Sequence, residues 1–122
     1  MRLVKILSNM ITIYHNNRCS KSRCAIEYLK ENNYDFKIIN YLENPPKISE
    51  ITKILKMLNI PAIDLVRKYE KIWKENFSDK KLSESKIVLI LSENPILIER
   101  PIIVNNLQAR IARPLQNIFD IL

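Results

Sequence analysis

The chain has 122 residues, 47% of them hydrophobic and 27% charged, which is enough for one domain with a real core and too apolar for general disorder. It contains no glycine, which excludes a Walker loop and a G-x-G-x-x-G turn, because both bring bare backbone against phosphate. One histidine, His15, and two cysteines, Cys19 and Cys24, exclude His-x-x-x-His and four-cysteine metal sites, while the formal charge of +7 comes from scattered lysines that mark no nucleic-acid partner.

Ile11–Tyr14 reads as a short strand that runs into a polar loop, His15 to Arg18. Ala25, Ile26 and Leu29 then recur at helical spacing, and Asn32-Asn33 ends that helix. Phe36 to Leu42 reads as a second strand, so the first forty residues form a βαβ unit with parallel strands. Pro45-Pro46 breaks the chain. Ser49 is expected to cap a helix carrying Ile51, Ile54, Leu55 and Leu58 on one face, ended by Asn59. Pro61 starts a further helical piece through Lys68, and Trp73 and Phe77 fall in a less regular stretch. Ser83 begins a helix through Leu91, closed by Asn94-Pro95. After Pro101, Ile102–Val104 and Leu107–Ala112 read as an antiparallel hairpin turning at Asn105-Asn106, since asparagine tolerates the left-handed conformation of a tight turn. Pro114 opens a last helix to Leu122. The expectation is an α/β chain in the order βαβ, helical insert at about 45–99, then ββα, forming a single domain over 1–122.

The longest strictly apolar run, Ile87 to Leu91, is far short of a membrane span. Met1 to Met10 has no long apolar stretch before a small-residue cleavage site, so the expected compartment is a reducing cytoplasm, with Met10 as an alternative start.

Cys19 carries the chemistry. It follows a strand and a loop and stands in the first turn of a helix, where unpaired N–H groups and the helix dipole favour a thiolate and an anion beside it. Arg18, Arg23 and His15 add positive charge or polarity, and Ser20 and Ser22 add hydroxyl donors. The bland alternative is a small buried hydrophobe, and the run Asn-Asn-Arg-Cys-Ser-Lys-Ser-Arg does not suit it. His15 either orders the turn or tunes the thiol directly. Cys24 stands at C-x4-C spacing; in a continuous helix the Cα atoms would be roughly 9 Å apart, beyond the separation of about 7 Å that a disulfide tolerates. It reads as an exposed bystander, or as a resolving thiol if the first turn unwinds.

The run His15-Asn16-Asn17-Arg18-Cys19-Ser20-Lys21-Ser22-Arg23 resembles the H-N-P-x-C-x-x-S-R loop of glutaredoxin-dependent arsenate reductases. The likeness continues through Tyr41-Leu42-Glu43-Asn44-Pro45-Pro46, Leu65-Val66-Arg67-Lys68, Asn94 to Val104, and Arg110-Ile111-Ala112-Arg113-Pro114. It implies a thioredoxin-like fold with a helical insertion, and a family cis-proline junction at Arg100-Pro101. It also implies a nucleophilic Cys19, with Arg67, Arg100 and Arg113 holding an oxyanion and His15, Ser22 and Arg23 lining the substrate. Guanidinium groups suit that task because their planar, permanently charged forks match oxyanion acceptors. For any one of them taken alone, a surface arginine is the alternative. Asn17 stands where the family usually has proline, so the loop gains an N–H. C-S-K-S-R also resembles a sister branch of arsenate-reductase-like proteins.

The implied reaction is reduction of arsenate or a similar oxyanion by a monomeric enzyme, with glutathione as co-substrate, glutaredoxin as partner, and neither metal nor tightly bound cofactor. Two alternatives stand beside it: a thiol-redox protein with another substrate, and a redox-sensing regulator resembling the Spx type, which binds RNA polymerase. The Spx-type proteins carry C-x-x-C near the N-terminus, which is absent here.

Overall fold

The computed structural model describes residues 11–122; the expectations about Met1 to Met10 lie outside them. Residues fall into two compact units, one running to Tyr41 and resuming at Arg100–Leu122, the other spanning Leu42–Glu99.

The first unit is built on a four-stranded sheet. Strand β1 (Ile11–His15) leads into helix α1 (Ser20–Glu31), and β2 (Phe36–Asn40) returns parallel to β1. Strands β3 (Ile102–Asn105) and β4 (Gln108–Ile111) form an antiparallel hairpin, and β3 also runs antiparallel to β1. The order is β2-β1-β3-β4, so β1 is central, with Ile13 facing Ile38 on one side and Ile103 on the other. Ile11, Ile13, Ala25, Leu29, Ile103, Ala112, Ile118 and Ile121 make one buried cluster. Its driving force is apolar surface removed from water along the inner stripe of α1 and one face of the sheet. The C-terminal helix expected after Pro114 is a 3₁₀ helix, Leu115–Ile121.

The second unit is helical. Helix α2 (Ile48–Leu58) buries Ile51, Ile54 and Leu55, and α4 (Glu84–Glu93) buries Ile87, Val88, Ile90 and Leu91. Between them lies the short helix α3 (Lys71–Asn76), where Trp73 is buried and packs at 5.6 Å on Phe77, four residues on. That i,i+4 contact gives regular structure to a stretch whose sequence shows little periodicity. Ser83 caps α4 as expected, its side chain accepting from the Lys86 N–H. Ser49 does not cap α2: the helix opens two residues earlier, with Ile51 N–H donating to the Lys47 carbonyl at 3.0 Å, and Lys47 is the N-cap. The helical piece expected from Pro61 to Lys68 shrinks to a 3₁₀ turn at Ala62–Leu65. Val66 leaves it to pair antiparallel with Ile98, flanked by bonds from Arg67 N–H to the Leu97 carbonyl (2.7 Å) and from Glu99 N–H to the Leu65 carbonyl (2.9 Å). A two-rung ladder satisfies those backbone groups, so the helix has no reason to continue.

Three residues take positive φ, and all are asparagine: Asn33 (60°), Asn59 (58°) and Asn106 (59°). In a chain with no glycine, asparagine is the residue that bears the left-handed conformation at least cost. The second strand is shorter than expected because the chain turns at Tyr41.

Candidate active site

The loop between β1 and α1 is held by its own hydrogen bonds. Asn16 is fully buried; its Oδ1 accepts from the Arg18 N–H at 2.9 Å, and its carbonyl accepts from the Cys19 N–H at 3.0 Å. Arg23 Nη1 donates to the Asn17 carbonyl at 2.9 Å, and the Asn16 N–H approaches the Ser22 hydroxyl at 3.4 Å. These contacts fix the chain as it enters α1, with Cys19 in the N-cap position in extended backbone (φ −98°, ψ 122°). Cys19 therefore stands just before the first helical turn, where N–H groups lack intrahelical partners.

The sulfur is buried, and burial by itself raises a thiol pKa. The backbone N–H of Ser22, the Arg100 side chain, the Ser22 hydroxyl and the Lys21 N–H favour the thiolate more strongly, and together they bring Cys19 down from 9.0 to about 6. At neutral pH it is a thiolate. The helix N–H groups and the Ser22 hydroxyl act as the sequence leads one to expect, but the cationic part comes from Arg100 and not from Arg18, Arg23 or His15. Arg23 instead acts on His15, whose pKa is lowered from 6.5 first by burial and then by the Arg23 charge. His15, the last residue of β1, is buried with Nδ1 unpartnered among the described residues.

Two of the three expected arginines belong to this unit and meet the sulfur. Arg113 Nη2 donates to Cys19 Sγ at 3.2 Å, while its Nε donates to the Arg100 carbonyl at 2.9 Å. Arg100 is 9% exposed, and its Nε and Nη1 are buried without partners among the described residues. Buried guanidinium donors are costly unless something accepts from them. An anion beside Cys19 would supply those acceptors. The peptides Arg100-Pro101 and Arg113-Pro114 are both cis; the first is the junction that the resemblance implies.

Arg67 belongs to the helical unit, where its side chain is 9% exposed and ion-paired to Glu70 and Glu99. The Glu70 pair is visible in the sequence as an i,i+3 spacing, while the Glu99 pair depends on the Val66–Ile98 ladder. Cys24 is exposed and free. Among the described residues, no three His, Cys, Asp or Glu side chains gather as a metal would require, and no helix is long and apolar enough to cross a membrane.

Comparison with known proteins fits this geometry. A family model described as the ArsC family matches residues 14–121. An uncharacterized protein of Escherichia coli (strain K12), YfgD, is 40% identical over 117 residues, covering 94% of this chain and 98% of its own. An arsenate reductase of Neisseria meningitidis serogroup A is 35% identical over 114 residues, 92% of this chain and 97% of its own. Among solved structures, an arsenate reductase from Vibrio cholerae is similar with a TM-score of 0.89 at 36% identity, covering 93% of this chain and 98% of that one.

Proposed function

The chain belongs to the ArsC family and has its thioredoxin-like α/β fold, and on that footing we propose that it is a thiol-dependent arsenate reductase using glutathione and glutaredoxin in a reducing cytoplasm. The observation that carries this reading is the Cys19 sulfur, held as a thiolate and touched at 3.2 Å by Arg113, beside an Arg100 guanidinium with donors to spare.

Thiolate attack on an oxyanion brings two negative charges together, and the arginines remove that obstacle. Arg100 and Arg113 donate to arsenate oxygens, and the resemblance adds Arg67 as a third donor. As the Cys19 sulfur bonds to arsenic, one oxygen leaves as water after protonation, and the preorganised donors stabilise the charge that develops. A glutathione thiolate then attacks the Cys19 sulfur. The electron pair of the S–As bond stays on arsenic, which falls from As(V) to As(III) and departs as arsenite, leaving a Cys19–glutathione disulfide. A glutaredoxin thiolate takes the glutathione and returns the Cys19 thiolate. Ser22 serves the nucleophile, and His15 and Arg23 shape the loop that holds it. The protein acts as a monomer without a resident metal or tightly bound cofactor.

The test is a coupled assay of arsenite formation with glutathione and glutaredoxin, run on the wild type and Cys19→Ser. Turnover by the wild type that falls to background in Cys19→Ser supports the reading. Absence of arsenite from the wild type overturns it and leaves a thiol-redox protein of another substrate.

A further inference from the structure

Asn16 to Cys19 form a β-turn. The Cys19 N–H donates back to the Asn16 carbonyl at 3.0 Å, and neither Asn17 nor Arg18 takes positive φ, which leaves type I among the hydrogen-bonded turns. Asn16 opens this turn and braces it a second time, because its Oδ1 accepts from the Arg18 N–H at 2.9 Å. Asn16 is 1% exposed, so the brace is internal. Cys19 is thereby held from both ends: its N–H closes the turn, and its carbonyl accepts from the Arg23 N–H at 3.1 Å to start α1. A third contact crosses the loop, where the Asn16 N–H approaches the Ser22 hydroxyl at 3.4 Å.

We propose that Asn16 is a positioning residue for Cys19, its side-chain bond to the Arg18 N–H holding the turn that aims the sulfur at the first N–H groups of α1 and at the Ser22 hydroxyl. This rests on the proposed function in one respect, that Cys19 is the nucleophile. A hydroxyl has a single hydrogen, so accepting from the Asn16 N–H leaves that hydrogen of Ser22 for the sulfur. The Ser22 and Lys21 N–H groups and the Ser22 hydroxyl all favour the thiolate, and all need Sγ to stay where the turn puts it, because hydrogen bonds weaken steeply with misalignment. Without the Oδ1 brace, the backbone of Cys19 is freer to rotate and Sγ leaves those donors.

The charged groups around the sulfur do not depend on this turn. Arg100 precedes β3 and Arg113 follows β4, and Arg113 is fixed by its own bond to the Arg100 carbonyl. Arg18, Lys21 and Arg23, on the loop and α1, are exposed. His15 precedes Asn16, but its pKa is lowered from 6.5, so it is uncharged through most of the range in which Cys19 titrates. A change in that titration on altering Asn16 therefore reports the aim of the sulfur. Asn17 offers a second handle on the same turn: it holds the position where proline presets the φ that a type I turn needs.

The experiment uses the full chain carrying Cys24→Ser, so that one thiol is read, and follows the pH midpoint of Cys19 alkylation by iodoacetamide. Asn16→Ala should raise the midpoint by about one unit, the worth of a weakened hydrogen bond to a charged group. Asn16→Ser, nearly the size of alanine, should recover about half of that shift, since a hydroxyl makes the same bond to the N–H two residues on, only more weakly. Asn17→Pro added to Asn16→Ala should also bring the midpoint back toward the parent, and Asn17→Pro alone should leave it in place. Thermal unfolding checks each fold, and Asn16→Ser against the parent serves if Asn16→Ala does not fold. A midpoint that stays put in the Asn16 variants, even with a lowered Tm, marks a merely structural residue and overturns the inference. So does a shift that neither serine nor proline reverses, or a rise in Asn17→Pro alone. Alkylation needs no arsenate, so the two readings fail separately: a shifted and rescued midpoint in a protein that forms no arsenite keeps the role of Asn16 toward the thiol and overturns only the arsenate reading.

Discussion

In the sheet-based unit Arg100 is buried with two guanidinium nitrogens unpartnered, whereas in the helical unit Arg67, equally buried, meets two carboxylates. The first is left electrostatically open at those two nitrogens and the second is closed on one edge. The difference shows that burial of an arginine has no single meaning. An unpartnered guanidinium stores an unmet demand for acceptors and so is a binding element at the expense of stability. A paired one contributes to the structure around it, and binding can use only what the pairs leave over.

The sharpest way to break this comparison is kinetic. Arg100→Ala and Arg113→Ala should each lower arsenate turnover by about 10²–10³, the usual loss when a preorganised donor is removed from developing charge. Lysine should rescue only in part, because an ammonium lacks the fork. Steady-state rates of arsenite formation check this, with near-wild-type turnover telling against the open site.

The next test concerns the charge that the open site holds. Cys19 alkylation should follow a midpoint near pH 6, in place of the ordinary thiol value of 9.0, and Arg100→Ala should move it upward; a pH series of iodoacetamide rates reads both. The same shift has a consequence for stability. Between about 6 and 9 the unfolded chain binds a proton at Cys19 that the folded chain does not, so wild-type stability relative to Cys19→Ala rises with pH across that window. It is fully present above 9 and lost as pH falls through about 6. Urea unfolding at pH 6 and pH 9 measures it.

A smaller effect separates the two arginines directly. Arg67→Ala strands two carboxylates and should cost about 1–3 kcal/mol of stability, less than a fully buried pair because both glutamates keep contact with water. Arg100→Ala removes a guanidinium with two unpartnered nitrogens. Below about pH 6, where Cys19 is protonated and its bond to Arg100 no longer pairs charges, it should leave stability unchanged or raised. Urea unfolding compares them, and equal losses would erase the distinction drawn here. Smallest of all, Asn59→Ala and Asn106→Ala, one in each unit, should cost about 1 kcal/mol each through the left-handed backbone they must keep, read as a lowered Tm.

Much of the sheet-based unit is legible in the sequence because its signals are local. The apolar spacing of Ala25 and Leu29, the alternation around Ile11 and Ile13, and Asn106 at the hairpin turn each report a structure formed within a few residues. The helical unit hides more. Val66 is drawn out of a helical pattern by Ile98, thirty-two residues away, and no spacing rule registers that partner. Trp73 is helical because it packs on Phe77, a contact that outweighs the weak periodicity of its surroundings. The site divides in the same way. Cys19 at a helix start is readable, together with the N–H groups and Ser22 that tune it, but Arg100 as a tuning group is not, since charge in the sequence draws the eye to the neighbouring Arg18 and Arg23. Ser22 three residues after Cys19 is where a helix start presents a free N–H, which is the signal that points to it.

The asparagines at positive φ have a further consequence, which lies in the unfolded chain. Glycine would adopt those three turns without strain, but it would also roam most widely before folding, and each turn would begin from a larger set of conformations. Asparagine narrows that starting set while its short polar side chain keeps the left-handed state accessible. A chain built without glycine thus trades a little native strain at Asn33, Asn59 and Asn106 for a denatured ensemble with less freedom to surrender. The α1–β2 turn, the end of α2 and the β3–β4 hairpin accordingly start their search from fewer conformations.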